Sequence, residues 1–134
     1  MNRKTARENT FLLLFEKTIR PDTIPQEIFT LAVEERCLET DKYVEDVFYG
    51  SNENSDLIYD LIEKSLIGWK KERVSYVSRA ILVLAVYEMM FRDDIPVKVT
   101  INEAIELSKK YDEDRAYVFV NGILNSIAEK LNKK

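Results

Sequence analysis

The sequence predicts an all-α fold of about seven helices. Three observations carry that expectation: apolar residues recur at helical spacing through every periodic segment, only three glycines and three prolines punctuate the 134 residues, and no stretch sustains the two-residue alternation of a half-buried strand. A first helix is expected from about Arg3 to Lys17, with Ala6, Phe11, Leu14 and Phe15 on one side, stopping before Arg20-Pro21-Asp22. A second begins near Pro25, whose missing N–H costs nothing in a first turn, and its stripe is Ile28, Leu31, Ala32 and then Cys37 or Leu38. A third covers about Asp41 to Gly50, with Val44, Val47 and Phe48 inward and with room to continue a further turn. Ser51, Asn52, Asn54 and Ser55 then interrupt the stripe, so a restart is expected, with Ser55 as the N-cap of a fourth helix that turns Leu57 or Ile58, Leu61 and Leu66 inward and ends at Gly68.

The fifth helix, about Ser75 to Arg92, is apolar almost all round from Ala80 to Tyr87, the pattern of a central helix packed on several sides. Ile95-Pro96 terminates it. Thr100-Ile101-Asn102-Glu103 has the form of a capping box opening the sixth helix, with the Thr hydroxyl accepting from the Glu103 N–H and the Glu103 carboxylate from the Thr100 N–H. The sixth helix ends near Tyr111, and a seventh begins around Asp112 to Asp114, where carboxylates suit the positive end of the helix dipole.

Composition narrows the chemistry. The length is that of one domain, residues 1–134, with 46% hydrophobic and 33% charged residues. One cysteine and no histidine remove disulfide frameworks, the usual zinc ligand sets and Cys-His or Ser-His catalysis. Cys37 reads as a small helix-face residue, and the acidic runs Asp93-Asp94 and Asp112-Glu113-Asp114 as helix termini without the spacing of a calcium loop. No catalysis, metal or cofactor is expected, and with no apolar run approaching the ~20 residues of a membrane span the expected location is the cytoplasm. The net charge of −4 is unevenly placed: residues 1–20 hold five basic and two acidic groups, residues 21–60 two basic and eleven acidic, and residues 61–79 five basic and two acidic. A polyanion is repelled by the middle of the first half and is admitted only at the first helix and around Lys70 to Arg79.

The second half carries the pattern Val77-Ser78-Arg79-Ala80-Ile81-Leu82, Ala85-Val86-Tyr87-Glu88, Ile95-Pro96, Ile101-Asn102-Glu103-Ala104 and Phe119-Val120-Asn121-Gly122-Ile123-Leu124. With Arg7 in Thr5-Ala6-Arg7-Glu8, Gly50 and Trp69, it resembles the NusB family, bacterial transcription antitermination factors that bind RNA jointly with a small ribosomal protein. The resemblance implies a bundle of two packed helical subdomains, about 1–67 and 74–134. It also implies a non-enzymatic factor that binds single-stranded boxA-type RNA together with the small-subunit ribosomal protein NusE, acting on elongating RNA polymerase in ribosomal RNA transcription.

Candidate residues follow from both sources. Arg3, Lys4 and Arg7 share a face of the first helix, and the resemblance gives them phosphate contacts, against the plainer reading of a solvated helix start. Lys70, Lys71 and Arg73 beside Trp69 and Tyr76 interleave cations with flat rings, the chemistry of single-stranded RNA, although Trp69 reads better as core. Gly122 inside the seventh helix signals a close approach by a helix or an RNA backbone, and by resemblance Phe119 and Asn121 lie near the RNA surface. Glu88, an acid in the least polar helix, reads as the structural partner of an arginine or of backbone N–H groups. By resemblance the ribosomal partner packs on Phe15, Glu16, Ser78 and Arg79, whereas Arg115 is open to either RNA or partner. A helical protein-interaction scaffold that binds no RNA is the alternative.

Overall fold

The computed structural model describes residues 1–66, 68 and 74–133. The expectations placed on Trp69, Lys70, Lys71 and Arg73 lie outside the described residues. Within them the chain forms seven α-helices and no strand: α1 (Arg3–Ile19), α2 (Pro25–Arg36), α3 (Lys42–Glu53), α4 (Ser55–Lys64), α5 (Tyr76–Phe91), α6 (Val97–Tyr111) and α7 (Ala116–Lys130). The central role of α5 is as expected. Every residue from Ala80 to Met89 is buried, and α5 packs on α1, α3, α4, α6 and α7, while α6 and α7 pair with each other. Each large apolar side chain removed from water there contributes ~1.5–3 kcal/mol. No helix among the described residues is long and apolar enough to cross a membrane.

Three helices begin on side-chain caps: Asn2 accepts from the Thr5 N–H at 2.8 Å, Asp41 from Val44 at 2.9 Å and Ser75 from Ser78 at 2.9 Å. Each occupies one of the donors a helix start leaves unpaired. Five local expectations are corrected. Ser55 is not an N-cap but the first residue of α4; Asn54 stands between the helices and sends both its side-chain amide, at 2.8 Å, and its backbone N–H, at 3.0 Å, to the Gly50 carbonyl. The polar stretch therefore carries α3 its further turn, to Glu53, and closes it through local bonds before α4 restarts, as expected. Cys37 is exposed and left-handed, at φ 55°, where it turns the chain out of α2 rather than continuing its buried stripe.

The capping box does not form. α6 starts one turn early, at Val97 directly after Pro96, so the Thr100 N–H already bonds the Pro96 carbonyl at 3.2 Å and the Thr100 hydroxyl is free to point into the core. α7 starts later than expected, at Ala116 behind a left-handed Arg115 at φ 74°. Asp112 serves α5 instead of the α7 dipole: its carboxylate accepts from the Ser75 and Ser78 hydroxyls at 2.7 Å each, tying the end of α6 to the start of α5.

The fifth correction concerns the glycines. A Cβ on Gly122 would meet nothing within 4 Å, so no group approaches it, whereas a Cβ on Gly50 would fall 2.5 Å from Cε2 and Cζ of Tyr87. The close approach is between α3 and α5, and that ring is held in place by its hydroxyl's bond to Asp46 at 2.9 Å. Gly50→Ala should therefore cost ~1–3 kcal/mol by overpacking, while Gly122→Ala should leave stability unchanged or raise it by up to ~1 kcal/mol. Urea denaturation midpoints of the two variants check this, and equal behaviour would contradict it.

Candidate nucleic-acid interface

The site begins with a buried charge. Glu88 is fully buried in the last turn of α5, where an unpaired carboxylate would be prohibitive. Three helices bring it donors: Arg7 of α1 gives Nε at 2.8 Å, Thr100 of α6 gives its hydroxyl at 2.7 Å, and Tyr43 of α3 gives its hydroxyl in a short bond. Burial by itself would lower the Arg7 pKa, but its hydrogen bond to Glu88 and the charge of Glu88 outweigh that and raise it. Burial, followed by the charge of Glu88, pushes the Tyr43 hydroxyl far above the usual phenol range. The structural reading of Glu88 as an arginine's partner thus holds.

The same contact corrects the expectation for Arg7. It is 4% exposed and also faces Glu103 at 3.7 Å, so its guanidinium is committed inside the protein and is not available to a phosphate. The spacing argument identified a shared face correctly, yet that face is the buried one: Arg7 falls in the stripe with Thr10, Phe11 and Leu14, at the i+3, i+4 and i+7 positions of a core-facing helix. Only the first turn of α1 escapes. Arg3 is exposed and lies over the Tyr43 ring at 4.6 Å, and Lys4, 71% exposed, reaches Glu103 at 3.5 Å.

Beside them α6 contributes a second pair. Lys110 Nζ sits 2.5 Å from Glu8 Oε2, and the Tyr111 hydroxyl donates to the same carboxylate. The hydrogen bonds from Lys110 and then Tyr111 hold Glu8 below the usual carboxylate range. On the other side of Tyr43, Arg92 forks onto Asp94 with two bonds of 2.9 Å and reaches Asp46 at 3.1 Å. Arg92 thereby holds the exposed Asp94 down to about 2. One tyrosine ring is thus flanked by Arg3, Arg7 and Arg92.

The remaining predicted residues do not converge. Phe119 is half-buried and lines a cavity of about 530 Å³ with Ser75, Ser78, Asp112 and the exposed Arg115. Asn121 is exposed on the opposite side of α7, where its side-chain and backbone oxygens accept from Asn125; two residues span ~200° of a helix. Phe15 and Glu16 line a largely apolar groove with Leu12, Ile19 and Leu38, and the Glu16 carboxylate accepts from Arg20 at 2.9 Å and Arg36 at 2.6 Å. Ser78, expected to face a protein partner, is 3% exposed with its hydroxyl spent on Asp112, so its side chain cannot serve that role. Arg79 opens on a different groove, over the Tyr76 ring at 5.7 Å. Sequence reasoning missed Tyr43 and Asp112; Tyr43 is legible only as the i−4 neighbour of Val47.

Two outcomes follow from the Glu88 cluster. Removing the carboxylate with Glu88→Ala should destabilise by ~3–5 kcal/mol, and Thr100→Val by about 2 kcal/mol for a bond to a charged group, both read from denaturation midpoints. The phenols set an alkaline limit. Burial and the hydrogen bond to Asp46 push the Tyr87 hydroxyl up to about 12, and Tyr43 is raised as well, against about 10 in the unfolded chain. Their folded-state preference for the protonated form is fully present below pH ~10 and is lost as pH rises through the folded values. Midpoints that stay level from pH 9 to 12 would contradict this.

Comparison with known proteins supplies the context of this geometry. The model of the NusB family matches residues 4–129. The transcription antitermination protein NusB of Bacillus pumilus is 42% identical over 134 residues, covering all of both chains, and that of Bacillus subtilis is 40% identical over 133 residues, 99% of each. Among solved structures, NusB of T. maritima is 37% identical with a TM-score of 0.84, covering 97% of this chain and 92% of that one. A structure of antitermination factors NusB and NusE in complex with dsRNA contains a chain 30% identical with a TM-score of 0.83 over 96% of each.

Proposed function

Because the chain belongs to the NusB family, we propose that it is a transcription antitermination factor that binds boxA-type single-stranded RNA jointly with the ribosomal protein NusE, within the elongating RNA polymerase complex and in support of ribosomal RNA transcription. It works by binding, not by catalysis. The observation that carries this reading is the likeness, over 96% of the chain, to a protein solved with NusE and dsRNA, together with the exposed cations that α1 presents at its start. Arg3 and Lys4 make the phosphate contacts; Lys70 and Arg73 join them on sequence grounds alone, and Phe119 and Asn121 flank the RNA from the two sides of α7. Phe15, half-buried in the α1–α2 groove, is the contact for the protein partner, with Glu16 at its edge.

The cationic surface is small, and carboxylates already sit beside it at Glu103 and Glu8. The lone chain is therefore a weak polyanion binder, and a partner that adds cations to the same RNA path raises the affinity of both. RNA titrations with and without NusE test this. Arg3→Ala/Lys4→Ala should weaken RNA binding by the NusE complex and make log K against log salt shallower by about 1.4, the share of two phosphate contacts on a single strand. Thermal stability should hardly move, since exposed pairs contribute little, whereas Arg7→Ala should lower it sharply. Phe15→Ala should weaken NusE first and RNA only through it. An unchanged salt slope in the double variant would remove α1 from the RNA path, and no RNA binding with NusE present would leave the protein-only scaffold.

A further inference from the structure

The first turn of α1 carries an arginine seated on a ring. Asn2 caps the helix through the Thr5 N–H, which fixes the backbone around Arg3, and the side chain crosses to α3, where its guanidinium carbon stands 4.6 Å from the centre of the Tyr43 ring. That lies within the ~6 Å reach of a cation–π contact. Two further arginines face the same ring, Arg7 at 5.6 Å and Arg92 at 5.5 Å, but both have other work: Arg7 holds Glu88, and Arg92 holds Asp94 and Asp46. Arg3 is exposed. A ring attracts a guanidinium through its charge and plane and takes none of its N–H donors, so the fork that matches a phosphate stays available.

The seat itself is fixed from several sides. Tyr43 is buried in the first turn of α3, the Asp41 side chain caps that turn through the Val44 N–H at 2.9 Å, and the Tyr43 hydroxyl donates to Glu88 at the centre of the bundle. Beside the ring, Asp94 is held down chiefly by Arg92, and the charge of Arg3 adds to that effect, so Arg3 is drawn toward Asp94 as well as onto the ring. A long side chain at a helix start ordinarily samples many rotamers, and a ligand that fixes it loses affinity to that ordering. Here the ordering precedes the ligand.

We propose that Tyr43 is a positioning residue for RNA binding: it touches no RNA itself, and its ring holds the Arg3 guanidinium with the N–H edge outward, toward a phosphate. This rests on the reading of Arg3 as a phosphate contact. It assigns Tyr43 two separable tasks, with the hydroxyl serving the stability of the Glu88 cluster and the ring serving the affinity for RNA.

The test separates those tasks in the full chain with NusE present, titrated with a boxA-type single-stranded RNA well below each variant's melting temperature. Tyr43→Leu, which loses ring and hydroxyl, should weaken RNA binding about fivefold, the scale of a lost cation–π contact. Tyr43→Phe keeps the ring and should restore most of that affinity while remaining less stable than the natural chain. Thr100→Val also removes a bond to Glu88 without touching the ring, and it should lower the melting temperature and leave RNA binding in place. In an Arg3→Ala background, Tyr43→Leu should cost no further affinity. A second readout needs no variant: side-chain NMR of the natural chain should place the Arg3 methylene protons upfield through the ring current of Tyr43, and that shift should persist when RNA is added. Positioning is overturned if the shift is absent or is lost on RNA binding, if Tyr43→Phe binds RNA as weakly as Tyr43→Leu, or if Thr100→Val weakens RNA as much. If Arg3→Ala weakens RNA and Tyr43→Leu does not, the positioning role alone fails; if Arg3→Ala has no effect, the phosphate contact fails and the proposal with it.

Discussion

One carboxylate holds this bundle in register. Glu88 sits at zero exposure in the helix that touches most of the others, and its charge is tolerable only while Arg7, Tyr43 and Thr100 all point at it. Those three residues come from α1, α3 and α6, so a rotation or slip of any of these helices would strand a buried charge. Apolar packing is forgiving of such slips. A hydrogen-bonded ion is not, because the cost of a missing partner is several kcal/mol in a low-dielectric interior. The cluster thus adds specificity of arrangement to a core whose stability comes chiefly from aliphatic burial around α5.

The same cluster reaches the surface at the end of the molecule where RNA is proposed to bind. Tyr43 donates inward to Glu88 and carries Arg3 on its ring at 4.6 Å, so an exposed cation is seated on a residue that the core has immobilised. Ordering a flexible arginine ordinarily costs side-chain entropy at binding; seating it on a fixed ring reduces that cost. α1 accordingly has two functions along one helix, with a first turn that faces solvent and a second that carries its arginine into the interior. The acids nearby temper the positive potential, which is consistent with a protein whose RNA affinity depends on a second component.

Where charge is placed matters more here than how much there is. The segment richest in carboxylates turns Ser51, Ser55 and Tyr59, not acids, toward the groove against α1 and α5, while acids such as Asp46 hold neighbouring side chains. Net charge would have described this region as closed to anions. The described lining of that groove holds no carboxylate from this segment.

By itself the sequence determined the number and order of the helices, the central place of α5 and the structural use of Glu88, because each depends on local periodicity or on the solvation cost of a single residue type. The family pattern was legible too, since it is written in short runs such as Phe119-Val120-Asn121-Gly122. Only the tertiary structure decided which polar groups are inside. Arg7 and Thr100 each fit a surface or capping role by local rules, and both were claimed by a carboxylate 81 and 12 residues away in the chain, because the desolvation of Glu88 outweighs the modest gain of an end-of-helix bond. Glycine roles exchanged for the same kind of reason: whether a missing Cβ makes room for anything depends on what another helix puts there, and α5 put Tyr87 at Gly50 and nothing at Gly122.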